Sequence, residues 1–283
     1  REMALQAARI ARKAADKANR AAEEAADTAT NNTATATTAK RRVLVAGSVG
    51  PTGKSLSLAS DALDPAYRKY DFDDLVEVYG EQIGALAEGG VDLILLETCF
   101  DALNVKAAIY AMDKLGLDLP LAVSVSVSDR SGRTLTGQTI EAFYHSVEHG
   151  RLWAFGLNCS LGAQELTPLV EELAGFASCR VLCYPNAGLP NEMGEYDQTP
   201  EQMAAQMRSM ASRGILNIAG GCCGTTPEHI AAIAREISGC KPRALRPAPE
   251  NLLVLSGLEP VYVDRTRSNF TNVGERTNVA GSR

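Results

Sequence analysis

The chain has 283 residues, enough for one large α/β domain or two ordinary ones, and its 45% hydrophobic content can fill a sizeable core. Its 28 basic and 34 acidic residues leave a net charge of −6, which argues against nucleic acid and anionic membrane as main partners. No apolar run reaches the roughly 18 residues of a membrane span and no signal-peptide core occurs; the seven cysteines, without tandem spacing, read as reduced thiols of a cytoplasmic protein, open to metal or chemistry.

Residues 1–27 are rich in Ala with charges of both signs, which predicts one amphipathic helix. Its apolar face is thin, made of Met3, Leu5 and Ile10 followed by alanines, so its second half is expected in solvent. The Thr-, Ala- and Asn-rich stretch 28–40 has no packing face and reads as a linker or insertion. From 43 onward short apolar runs recur at 43–50, 91–100, 121–128, 152–160, 180–188 and 215–221, rich enough in Leu and β-branched residues for strands buried on both faces. In "SVSVSVSDRSG" the small residues are expected to face inward. Helical spacing separates the runs: Leu75, Val76, Tyr79, Ile83 and Leu86 mark one helix, and further helices fit 102–115, 138–149, 163–177 and 200–212. Thr199 and Pro200 are N-cap and first-turn signals for the last of these, and Thr226 with Pro227 repeats that start for a further helix in "TTPEHIAAIAREISG".

Six strand–helix units in succession predict a parallel sheet with right-handed crossovers, either a (β/α) barrel or an open doubly wound sheet. No G-x-G-x-x-G follows a strand, so a dinucleotide fold lacks support. A closed barrel needs eight strands. The expectation is therefore an α/β fold, a TIM-type (β/α)8 barrel incomplete here, its first two strands lying before Arg1. A start without Met and a stop at "VAGSR" fit a piece of a longer chain. Residues 41–240 would be the partial barrel. Residues 241–283 hold four prolines between 241 and 263 and read as an interdomain connector, followed by the strand and turn of another domain.

Three cysteines fall at predicted C-terminal strand ends, where active sites of parallel α/β folds form: Cys159 in "GLNCSLGA", and Cys222 with Cys223 in "NIAGGCCGTTPEHI". Gly220, Gly221 and Gly224 around the pair allow a sharp turn or a close approach. Three thiolates with one open position suit a catalytic Zn²⁺; the plain alternative is small, buried, inert thiols. Sulfur-rich zinc favours a bound substrate thiolate over water activation, since hydrolytic zinc more often has His and carboxylate ligands. Cys99, Cys179, Cys183 and Cys240 lack this context, and His145, His149 and His229, on predicted helices, read as surface residues. "SVGPTGKS" misses a phosphate-binding loop by one residue, because the required first glycine is Ser48.

"GLNCSLGAQEL", "YPNAGLPNEMGEYDQTPEQMA" and "NIAGGCCGTTPEHI" resemble the zinc-binding homocysteine S-methyltransferase family, over about 43 to 240. "GSVGPTGKSLSL", "ETCFDALNVKAAI" and "SGRTLTGQTIEAF" resemble the form this domain takes in cobalamin-dependent methionine synthases, and "TNVGERTNVAGS" resembles the first strand of their pterin-binding domain. The resemblance implies Cys159, Cys222 and Cys223 as zinc ligands, Asn186 as a fourth donor without substrate, and Glu97 as the carboxylate that holds the substrate ammonium. It implies methyl transfer to homocysteine, giving methionine, from methylcobalamin held by another domain and ultimately from methyltetrahydrofolate. Cobalamin- and pterin-binding domains of the same protein would be its partners. Alternatives are another donor, such as betaine or S-methylmethionine, or a non-catalytic zinc- or dithiol-binding fragment. The family's first strand, with its Asp-Gly-rich homocysteine-binding motif, is absent, and 28–40 is longer than the usual loop.

Overall fold

The computed structural model describes residues 1–30, 42–61, 63–64, 67–272 and 274. Six parallel strands form one sheet in strict chain order: β1 (Ala46–Val49), β2 (Leu93–Cys99), β3 (Leu121–Val125), β4 (Ala154–Gly162), β5 (Arg180–Asn186) and β6 (Ile218–Ala219). Helices α2 (Phe72–Glu88), α3 (Ala102–Lys114), α4 (Ile140–Val147), α5 (Ala163–Phe176), α6 (Pro200–Ser212) and α7 (Pro227–Ile237) follow the strands in turn. Sequential order without reversal is that of a TIM-like barrel wall; a doubly wound sheet reverses at a switch point. Among the described residues β1 and β6 do not pair, so six strands of the expected eight are present and ring closure is not.

The caps follow the sequence signals. Thr199 Oγ1 accepts from the Gln202 N–H and the Gln202 side chain accepts from the Thr199 N–H, a reciprocal pair at the start of α6. Asp71 and Asp74 do the same for α2. At α7 the third helical residue is His229. It is buried, contrary to the surface reading: Nδ1 accepts from the Thr226 N–H (3.2 Å) and Nε2 donates to the Gln198 carbonyl (2.8 Å). His145 is also mostly covered, its Nε2 lying 3.2 Å from the Tyr262 hydroxyl.

Alternation along the strands divides the apolar residues into two clusters. Ile94, Leu96, Val123, Val125, Phe155, Leu157 and Val181 face the helices and pack with Ile83, Ile109, Phe143, Leu166 and Met207. The other face gathers Leu93, Ala122, Ala154 and Leu182 with half-buried Leu95, Trp153, Tyr184 and Ile218. On β3 the small Ala122 and Ser124 share this inner face, as its Ser/Val alternation predicts, whereas β2, β5 and β6 place larger side chains there.

Before this wall runs α1 (Glu2–Thr30), longer than the expected 1–27; residues 28–30 are its last turn, and the rest of the predicted linker lies outside the described residues. Leu5, Ala8 and Ala15 are buried, whereas Met3 and Ile10, expected on the packing face, are exposed. Polar ties complete the docking. Asn19 exchanges hydrogen bonds with the Val43 backbone, and Arg12 reaches Asp92 at 2.7 Å. Burial pushes the Asp92 carboxyl upward, but the Val45 N–H (2.7 Å), Arg12 and Arg42 together outweigh it and hold the group below its ordinary value. A depressed folded-state value contributes stability above the unfolded value, lost as pH falls through the folded one. Asp92→Asn is therefore expected to cost about 1 kcal/mol at pH 7, by exchanging charge-assisted bonds for neutral ones. In urea titrations the difference should vanish near the bottom of the carboxylate range.

The region read as a bare connector carries structure of its own. Arg243, 5% exposed, donates to the carbonyls of Ala174 (3.1 Å), Cys179 (3.0 Å) and Ala177, satisfying acceptors at and just past the end of α5. Beyond it β7 (Leu252–Ser256) and β8 (Pro260–Asp264) form an antiparallel hairpin. The hairpin leans on α4 through Tyr262, whose hydroxyl donates to Glu141, and through the Thr139 N–H to Leu258 carbonyl bond (3.0 Å). Three of the four prolines precede the hairpin and Pro260 opens a strand with a free edge, where its missing N–H does no harm. Residues 269–272 show no strand, and 275–283 lie outside the described residues.

Candidate metal centre

The sulfurs of Cys159, Cys222 and Cys223 all lie within 4.8 Å of one another. Cys159 arrives from the end of β4, where the register with β5 shifts between Asn158 and Gly162. Cys159 and Ser160 both take left-handed backbone angles, φ 61° and 60°, a region that non-glycine residues rarely occupy and that concentrates at functional sites. Cys222 and Cys223 follow β6 and are fixed by β5: the Cys222 N–H donates to the Pro185 carbonyl (2.8 Å) and the Ala187 N–H to the Cys223 carbonyl (2.9 Å). Gly224 then turns at φ +76°, and a Cβ there would stand 2.3 Å from that of Tyr196, so only glycine closes this turn.

The spacing fits a metal. Sulfurs around a tetrahedral Zn²⁺ at about 2.3 Å stand about 3.8 Å apart. Cys159 and Cys223 are 3.6 Å apart and Cys222 and Cys223 3.9 Å. Burial pushes the Cys159 thiol up, and it raises Cys222 to about 12, with the neighbouring sulfurs adding to the effect and Asn158 opposing it. Without a cation Cys159 and Cys222 hold their protons at neutral pH; a cation would supply the charge that burial withholds. The other four cysteines are free and apart from this group, with burial raising Cys179 to about 11 and Cys183 to about 12. No histidine joins a metal-ligating group among the described residues.

Glu97, at the end of β2, is half-buried on the inner face. Ser48 of β1 donates to one carboxylate oxygen and the Tyr184 hydroxyl of β5 to the other (3.2 Å). It has no Lys or Arg partner within ion-pair distance among the described residues. Asn186 is 2% exposed, and its Oδ1 accepts from the Cys223 N–H at 3.2 Å. That oxygen keeps a second lone pair.

Sequence reasoning missed Ser48, Thr98, Ser124, Asn158 and Tyr184. Four of them, Ser48, Ser124, Asn158 and Tyr184, share the inward parity of Leu95, Ala122, Ala154 and Leu182 near strand ends, and this parity is the signal that would have found them.

The family model for homocysteine S-methyltransferase matches residues 1–237. The chain belongs to the homocysteine S-methyltransferase family. Among solved structures, this homocysteine S-methyltransferase chain resembles the apo form of the homocysteine methyltransferase MmuM from Escherichia coli at 22% identity, covering 82% of this chain and 74% of that one, with a TM-score of 0.53. The oxidized form of MmuM gives 22% identity over 70% of this chain and 63% of that one, again with a TM-score of 0.53. Likeness at this identity establishes the shared fold. Within the family match lie all three clustered cysteines, Glu97 and Asn186.

Proposed function

We propose that this chain holds Zn²⁺ on Cys159, Cys222 and Cys223 and methylates homocysteine to methionine, with the methyl group delivered from methylcobalamin on another domain. One observation carries the reading: three thiols, from two separate strand ends, lie within 4.8 Å of one another, and Cys223 stands 3.6 and 3.9 Å from the other two, near the spacing of sulfurs on a tetrahedral zinc. Bound zinc supplies a Lewis-acidic position at which the homocysteine thiol loses its proton and stays nucleophilic. The S–CH₃ bond forms as the donor's bond to that methyl breaks, and the thiol proton leaves to solvent.

The chain's own residues bind and orient. Glu97 receives the homocysteine ammonium; its half-buried carboxylate, held by two hydroxyls and with no cation partner among the described residues, is the feature that supports this role. Asn186 is a fourth donor for the metal before substrate enters, through its remaining oxygen lone pair. The division into a homocysteine-binding barrel (41–240), a connector (from 241) and the start of a pterin-binding domain belongs to the same proposal, as does a cytoplasmic setting with reduced thiols. No described helix is long and apolar enough to cross a membrane.

Zinc-loaded chain is tested with homocysteine and three donors: methylcobalamin, betaine and S-methylmethionine. Methionine from methylcobalamin alone supports the reading; methionine from either small donor reassigns the donor, and none from all three contradicts transferase activity of this chain. Glu97→Gln is expected to raise the homocysteine KM about 100-fold, the loss of one charged contact, with zinc per chain unchanged by elemental analysis.

A further inference from the structure

One buried amide spans the gap between two elements that the metal-centre reading leaves unconnected. Asn158 is 1% exposed on β4, one residue before Cys159. Its Oδ1 accepts from the Thr98 N–H (3.0 Å) and the Ser124 hydroxyl (2.6 Å); its Nδ2 donates to Thr98 Oγ1 (2.9 Å) and toward the Cys222 sulfur (3.8 Å). All four bonding positions of the amide are used. Its orientation is fixed as well, because a flip would set the NH₂ against the Thr98 N–H, donor against donor. Thr98 itself is strained: a β-branched residue at φ 58° persists only where its surroundings over-determine it. Asn158 provides two of those surroundings.

We propose that Asn158 is a positioning residue, whose amide locks left-handed Thr98 on β2 and turns its second N–H to the Cys222 sulfur so that the three sulfurs stay assembled. Outer partners of this kind set ligand orientation and donor strength, and losing them typically weakens metal binding 10–100-fold. The inference rests on the zinc reading for its purpose, though its geometry stands without metal.

The test pairs two probes on purified full chain. Zn²⁺ affinity is measured by chelator competition, and arsenite affinity in metal-free protein, since As(III) takes three thiols with release of three waters and needs no zinc. Asn158→Asp keeps the accepting oxygen and faces the sulfur with an anionic one; Asn158→Ala removes the amide. Each should weaken both probes by about 10–100-fold. Leu173→Ala, a core truncation in α5 away from the cluster, serves as a control that loses stability while holding both affinities within about 2-fold of wild type. Wild-type affinities in folded Asn158 variants overturn the assignment. Should those variants not fold, Thr98→Val, which deletes only the oxygen that one amide N–H uses, decides in the same assays: about 10-fold weakening supports the role and unchanged affinities overturn it. A wild-type chain that takes arsenite but no zinc overturns the zinc reading, and the arsenite series still judges Asn158.

Discussion

Cys223→Ser is expected to lose zinc and methyl transfer together. Cys223 is the hub of the cluster, within 3.6 Å of one sulfur and 3.9 Å of the other. Structural zinc sites bind with roughly 10–16 kcal/mol of apparent free energy, so one thiolate of three accounts for on the order of 4 kcal/mol, a factor near 1,000 in affinity. Serine keeps the shape but holds its proton near neutral pH even beside a cation. Cys159→Ser and Cys222→Ser should behave alike. Cys179→Ser, outside the cluster, should keep a full complement of zinc by elemental analysis, and loss of zinc there would show that ligands had been misassigned.

Gly156→Ala is expected to abolish folding. A Cβ at Gly156 would stand 1.7 Å from the Leu182 carbonyl oxygen and 2.6 Å from its carbon, both backbone atoms of the register partner on β5. A flexible side chain could yield, whereas here two central strands must separate. The strain is on the order of 4 kcal/mol or more, against total stabilities of about 5–15 kcal/mol. The same two strands carry Cys159 and the carbonyl that fixes Cys222, so any protein that does fold should also lose zinc. A soluble variant with a wild-type urea midpoint would show that β4 and β5 are not held as close as described.

The elements that a sequence shows best are those governed by near neighbours. Apolar runs placed all six strands, helical spacing placed α2 to α6 and a Thr-Pro start placed α7, because burial pattern and cap chemistry are local: Thr199 and Gln202 sit three residues apart and make their own case. β6 shrank to Ile218–Ala219 because the chain turns at once toward Cys222. The β7–β8 hairpin was hidden behind prolines that precede it, although the alternation of "LLVLS" and "PVYVD" around Gly257 was available to read. At the site, the adjacent cysteines were legible because their chemistry is unusual in any context. Asn158 and Tyr184 were not, since an amide or a phenol acquires meaning only from the strands that face it; Thr98 lies 60 residues from Asn158 in sequence.

The central claim is that three cysteine sulfurs hold a zinc whose remaining position takes the homocysteine sulfur. X-ray absorption at the zinc edge, on the purified chain before and after homocysteine, tests it most directly. The expected result is three sulfur neighbours near 2.3 Å, rising to four when homocysteine is added and staying at three when methionine is added instead. Zinc absent from reduced wild-type chain, or a sulfur count unmoved by homocysteine, would contradict it.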